Sequence, residues 1–384
     1  MLISYSKALE IIHENIIPLQ LAQKTSLLES LHRISSQDIF AKWDMPNESI
    51  SLKEGYGVHL GASTSYHLTN GKNLSLIPVN HAVALSTGDF IPHGINAVVA
   101  KEDSIISTDG NLSIPDDIYS GYNIKQKGED LVCNQCILKQ FEPINAHTLA
   151  IIASQGLAHI ETFSPPKVAI LSIGDALISL GMPKQPSMIY NSNAISLAAR
   201  ITELGASIHS IDVCAEVPDL IIEKLSSLAQ EADFIITTGG MGTHDAMYES
   251  LNHKDLSILF HYVQISPARP SALSLLNHTP ILHLPGLPLS CLLGFEMLGS
   301  LILERLQHHA INPKQSITLT NKQMFTCKAC STSAIPGFSD GLTFTCAPAY
   351  QAAMLTTLST CNGYILTEGK ERLEQGALVL FYPF

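Results

Sequence analysis

Near the start of the chain, apolar residues recur at helical spacing: Ala8, Ile11, Ile12 and Ile16, then Leu27, Leu28 and Leu31. This pattern predicts two helices over residues 5–35, divided at Pro18, which lacks the N–H a helix needs. Between about residues 40 and 130 the period shortens. Runs such as Ala97-Val-Val-Ala100 and Leu112-Ser-Ile114 are bounded by turn residues, which predicts a small all-β module. Helical spacing returns at 146–156.

From Lys167 the pattern changes again. Lys167-Val-Ala-Ile-Leu-Ser-Ile-Gly174 is apolar without alternation, as a strand covered on both faces must be. Further strands are predicted at 208–213, 234–238 and 281–284. Helices are predicted at 193–204 and 218–230, with a long one at 289–307. Alternation of this kind implies a doubly wound parallel sheet, which binds ligands at the carboxyl ends of its strands. Asn312-Pro313 breaks the chain. From residue 317 onward, short strands and the turn residues Gly337, Asp340-Gly341 and Asn362-Gly363 predict a second β module ending at Phe384.

Composition narrows the function. A chain of 384 residues with 46% hydrophobic and 15% charged residues should form two to four domains with a sizeable core. The formal net charge of −12 argues against nucleic acid as a partner, because counterion release needs a basic surface. It leaves room for a small anionic substrate. A signal peptide and a membrane-length apolar run are both absent from the pattern, so the expectation is a cytoplasmic protein whose eight cysteines are free thiols. The pairs Cys133/Cys136 and Cys327/Cys330 lie too far apart for a zinc ribbon. His253 and His308-His309 read as surface or helix-end residues.

The run Phe234-Ile-Ile-Thr-Thr-Gly-Gly-Met-Gly-Thr-His-Asp245 places Gly239, Gly240 and Gly242 directly after an apolar strand. Glycine tolerates positive φ and close approach, so such a turn can aim backbone N–H groups at a phosphate. A tight strand-to-helix turn with no ligand is the competing reading. No Gly-Lys-Ser/Thr follows, and the glycine spacing is not the dinucleotide fingerprint.

Several motifs, in order, resemble the molybdopterin molybdotransferase family (bacterial MoeA and the C-terminal domain of gephyrin). They are Met45-Pro46 with Glu54-Gly-Tyr-Gly-Val58, Ser86-Thr-Gly-Asp89 with Ile91-Pro92, and Lys127-Gly-Glu-Asp130. In the second half they are Ser172-Ile-Gly-Asp175, Ile189-Tyr-Asn-Ser-Asn193, Thr238-Gly-Gly240 and Leu284-Pro-Gly-Leu-Pro-Leu-Ser290. The resemblance implies α/β and all-β modules in a MoeA-like chain: a discontinuous linking domain of residues 1–40 with 131–162, and a small β module at 41–130. A molybdopterin-binding α/β domain at 163–311 and a C-terminal β-barrel-like module at 312–384 follow. It implies an L-shaped homodimer whose cleft joins the α/β domain of one subunit to the β module of its partner. It also implies insertion of molybdate into adenylylated molybdopterin, with release of AMP helped by Mg2+ or another divalent cation. Handover contacts with molybdopterin adenylyltransferase or apo-molybdoenzymes would belong to the same role.

Carried onto this chain, the catalytic candidates are Glu54, Asp130, Asp175 and Asp245, the first three also as metal ligands. Candidate substrate-binding residues are Ser172, Gly174, Thr238, Gly239, Gly240, Gly242, Pro285, Gly286 and Ser290, with Ser86, Thr87 and Arg269. Structural readings compete: Asp130 as a turn cap, Asp245 and Ser290 as helix N-caps. The chain departs from the family at Ala176, Asn191 and Met247, where acids are usual, and at Ala215-Glu216-Val217. Ser266, Arg269 and Tyr262 stand near the family's lysines, and Leu287 replaces an asparagine. Loss of hard oxygen ligands and of cations keeps two further functions open: an inactive pterin- or nucleotide-binding scaffold, and a nucleotide reaction such as adenylyl transfer or pyrophosphate hydrolysis.

Overall fold

The computed structural model describes residues 2–61, 65–70, 76–308, 316–348 and 350–384. It divides into two compact units, one of residues 1–24, 32–34 and 161–384, the other of residues 25–31 and 35–160.

The first unit is built on a six-stranded sheet. Its order is Ser207–Cys214, Lys167–Ile173, Phe234–Thr238, Thr279–Leu284, Ala272–Leu276, Ser257–His261. The first four strands are parallel. Ala272–Leu276 runs antiparallel to both its neighbours, so Ser257–His261 again points the same way as the parallel four. Side chains alternate between two cores, because successive residues of a strand face opposite ways. Val168, Ile170, Phe234, Ile236 and Leu282 pack under Tyr5–Asn15, Ser192–Glu203 and the helices after Pro288. Ala169, Leu171, Ile235 and Ile281 pack under Pro218–Leu228 and Ala246–Ser250. The sheet is doubly wound as expected, with two strands beyond those read from the sequence, of which Ala272–Leu276 is the antiparallel one.

Five strands at the C-terminal end of this unit close on themselves. Thr332–Ser339 pairs with Thr343–Cys346 and Gly363–Leu366, and the ring is completed through Ile317–Asn321 and Leu378–Pro383. Leu319, Ile335, Phe344, Ile365 and Phe381 fill the interior.

The second unit carries a curled sheet ordered Ala97–Ala100, Gly55–Val58, His81–Leu85, Ser65–Leu68, Asn111–Ser113, Ile105–Ile106. Cores lie on both sides of it, one with Val58, Tyr66 and Val99, the other with Val83, Leu85 and Val98.

Four local expectations change. Residues 27–31 form no second helix: Ala22–Ser26 is a strand and Leu28–Ser30 a single 3-10 turn. Three leucines are too short a run to offset helix nucleation, and Leu28 stays 81% exposed. The helix at 289–307 is interrupted by a π turn at Phe295–Gly299. A Cβ on Gly299 would lie 2.3 Å from the Phe295 ring, so the glycine makes the space that ring fills. Gly337 and Gly363 sit inside strands rather than turns, because a Cβ there would strike the neighbouring backbone at 2.3 and 2.4 Å. Finally, Ser290 is the third residue of Pro288–Gly294, whose N-cap is Leu287, so Ser290 caps nothing. His309 and Asn312-Pro313 lie outside the described residues. None of the described helices is long and apolar enough to cross a membrane.

Candidate functional site

The carboxyl ends of the parallel strands gather most of the residues singled out in the second half of the chain. Phe234–Thr238 runs into the glycine loop, and Gly239 and Gly240 take φ values of +103° and +66°. Gly239 is needed for space as well as conformation: its Cβ would lie 2.3 Å from the Ile173 carbonyl oxygen. Its N–H donates to the Leu284 carbonyl, which ties the loop to the next strand. Gly286, after that strand, lies so close that its Cβ would be 3.2 Å from Gly239 Cα. Asp245 does precede the helix Ala246–Ser250, but its carboxylate makes no cap. It accepts the Gly242 N–H at 2.7 Å and so pins the loop.

A side-chain network joins the loop to the helix beside it. Asn193 Nδ2 donates to the Gly286 carbonyl (2.8 Å) and to Thr238 Oγ1 (3.2 Å). Its Oδ1 is buried with no hydrogen-bond partner. Thr238 Oγ1 also lies 3.3 Å from the Pro285 carbonyl and from Cys291 Sγ. Burial pushes the Cys291 thiol up to about 12, which keeps it protonated. Ser172 Oγ donates to Asn191 Oδ1, and the same oxygen caps Ser192–Glu203. Asparagine thus does the capping work an aspartate would do. Asn193 was missed in the sequence. The signal lay in the Tyr-Asn-Ser-Asn motif, which puts it at the second position of a helix beginning above the sheet.

The acids flank this edge. Asp175 is exposed, and its Oδ1 accepts the Glu216 N–H at 3.1 Å. Glu216 follows the adjacent strand and is itself exposed, so its backbone and the Asp175 carboxylate are tied together at this end of the sheet. Met247 is buried against Gly240, and Ala176 is exposed. Arg269 is exposed, at the head of Ala272–Leu276. Among the described residues no group of three His, Cys, Asp or Glu side chains could hold a metal. A cation of the magnesium type takes only one or two carboxylates and draws its other ligands from water and substrate oxygens, so the exposed Asp175 and Glu216 are the residues at this edge that could contribute to one.

The second unit arranges its own candidates around the segment 45–54. Gly128 and Asp130 donate N–H bonds to the carbonyls of Pro46 and Met45, and Ser51 exchanges backbone bonds with Gly88 and Asp89. Asp130 is half-exposed and accepts Lys125 Nζ at 3.1 Å. The Ser86 N–H donates to Asp89 Oδ2 at 2.7 Å, which rigidifies the turn bearing the exposed Thr87. Glu54 is exposed.

Two family models match the chain. The MoeA N-terminal region (domain I and II) matches residues 3–156, and a probable molybdopterin binding domain matches residues 169–308. The chain belongs to the MoeA family. This MoeA-family chain is 28% identical over 293 residues to the molybdopterin molybdenumtransferase of Haemophilus influenzae, covering 73% of the chain and 72% of the relative. It is 31% identical over 234 residues to molybdopterin molybdenumtransferase 2 of Mycobacterium tuberculosis, covering 58% and 56%. In fold it resembles a molybdopterin biosynthesis MoeA protein from Pyrococcus horikoshii, with a TM-score of 0.86 at 20% identity over all of both chains.

Proposed function

We propose that this MoeA-family chain acts in molybdenum cofactor biosynthesis as a molybdopterin molybdotransferase, placing molybdate on adenylylated molybdopterin with release of AMP. The observation that carries the reading is the glycine loop locked to Pro285-Gly286 and Asn193 at the ligand edge of the sheet. Relatives that match 73% and 58% of the chain are named for this transfer.

In this reading the loop receives a phosphate through backbone N–H groups, in a geometry fixed before the substrate arrives. Asn193 and Thr238 set the spacing between the loop and Gly286, and Asp245 keeps the loop from opening. Arg269 supplies a bidentate cation for an oxyanion. Asp175 and Glu216 would hold a divalent cation, whose chemistry when bound is to neutralise charge on the phosphate and molybdate oxygens. Asp130, Glu54, Thr87 and Ser86 are proposed to serve the same reaction from the second unit. The protein is proposed to work as a cytoplasmic homodimer that hands its product to apo-molybdoenzymes. Sedimentation velocity should give about twice the 41.6 kDa mass of the chain.

The test is AMP release from adenylylated molybdopterin. It should require molybdate and should vanish in Asp175→Ala. AMP release that ignores molybdate would favour a hydrolase instead. Retention of the pterin without any release would favour a scaffold, the reading that the buried Met247 supports.

A further inference from the structure

The outer end of the same edge carries chemistry that the phosphate loop does not use. His261, Ala272, His283 and Thr237 are register partners across four strands, one residue below the ligand edge. Tyr262 therefore leaves the sheet at the end where the glycine loop and Pro285-Gly286 lie. Its φ is +64°, an uncommon state for a bulky residue that marks stored strain. Backbone bonds hold it there: the Ile3 N–H donates to its carbonyl, and its own N–H donates to Ser271.

Three half-buried rings meet at this point. The His261 and Tyr262 rings stack with centroids 4.2 Å apart and planes 25° from parallel. Tyr248 lies 5.2 Å from His261 at 57°. The Tyr248 N–H donates to Gly240, so the cluster is tied to the phosphate loop. The Val263 N–H donates to the Arg269 carbonyl, which places that cation's backbone beside the cluster. His261 Nε2 is buried and has no hydrogen-bond partner, a group that costs stability unless something fills the bond. Burial also draws the His261 pKa down, which favours a neutral ring.

We propose that Tyr248, His261 and Tyr262 bind the flat nitrogen heterocycle of the phosphate-bearing substrate, with His261 Nε2 bonding to its polar edge. This rests on the transferase reading and adds which part of the fold reads the ring. Stacking suits any planar base, and an aromatic platform beside a phosphate site selects a nucleotide-like ligand over a sugar phosphate. The heterocycle is either the adenine or the pterin.

Calorimetric titration of the full chain with AMP, 6-hydroxymethylpterin and ribose 5-phosphate tests this without molybdate. Tyr262→Ala should weaken one of the two heterocyclic probes by about tenfold or more, and the probe affected identifies the ring. Tyr262→Phe should bind it within about twofold of wild type, because the stacking face remains. Ribose 5-phosphate should be unchanged in both variants. The proposal fails if wild type binds neither heterocycle, or if Tyr262→Ala binds both as wild type does. It also fails if ribose 5-phosphate weakens in parallel, or if Tyr262→Phe falls as far as Tyr262→Ala. Loss of molybdate-dependent AMP release with ring binding intact would instead remove the transferase reading and leave the ring site standing.

Discussion

At the scale of single residues, the account turns on positions where one atom more or less changes the loop. Gly239→Ala places a methyl 2.3 Å from the Ile173 carbonyl at a φ of +103°, so the cost should be about 2–4 kcal/mol by denaturant unfolding. Near-native stability would mean that the loop has room to move. Asn193→Ala removes both bonds that fix Thr238 and Gly286, and catalytic efficiency should fall about a hundredfold because the reacting groups lose their spacing. Asp175→Ala and Asp130→Ala should abolish activity while thermal unfolding stays nearly the same, since both side chains are exposed. A large loss of stability in both would reassign them to capping.

Individual residues were unevenly legible in the sequence. Thr238-Gly-Gly240 and Pro285-Gly286 announce themselves because glycine and proline have few other reasons to stand after an apolar strand. Asn193 does not, since an asparagine early in a helix reads as a cap until the Gly286 carbonyl is seen beneath it. Asn191 reads as a lost acid until its bond to Ser172 is seen.

At the scale of elements, two buried polar groups are open to test. His283 is wholly enclosed between Thr237 and Ser274, each 2.9 Å from a ring nitrogen, and burial lowers its pKa to about 3. The unfolded chain binds that proton near pH 6.5, so between about 3 and 6.5 the unfolded state holds more protons than the folded one. Stability is thus at its full value above pH 6.5 and should fall by roughly 1 kcal/mol per unit as the pH drops below it. Urea unfolding of wild type and His283→Gln at several pH values checks this, and equal slopes would contradict it. At the π turn, Glu296 is 5% exposed and accepts Arg200 Nε at 2.7 Å. Arg200→Met should cost about 3–5 kcal/mol, and Arg200→Met with Glu296→Gln should recover most of it. Additive losses would mean that the two side chains are not coupled.

The same elements show where a pattern runs out. The three inner parallel strands, Lys167–Ile173, Phe234–Thr238 and Thr279–Leu284, were readable because both their faces are buried. The strand Ala272–Leu276 was missed because the turn joining Leu276 to Thr279 uses Asn277 and His278 at positive φ, with no glycine to flag a hairpin. Gly337 and Gly363 misled in the opposite direction, because close approach of strands calls for glycine as strongly as a turn does.

At the scale of the whole molecule, order of motifs carried more than any single motif. Each match is short, but a doubly wound sheet between two β modules requires them all in one sequence, and the fold agrees with that order. Departures such as Met247 and Ala176 leave the architecture standing because they sit on elements already fixed by the apolar pattern. What they change is the chemistry at the edge of the sheet.

The central claim is tested most directly by reconstitution. Purified protein is mixed with adenylylated molybdopterin, magnesium, molybdate and an apo-molybdoenzyme, while AMP and the activity of the molybdoenzyme are followed. The account predicts molybdate-dependent AMP release in step with the appearance of active cofactor. Pterin held without turnover, under conditions where a relative from Haemophilus influenzae completes the reaction, would contradict it.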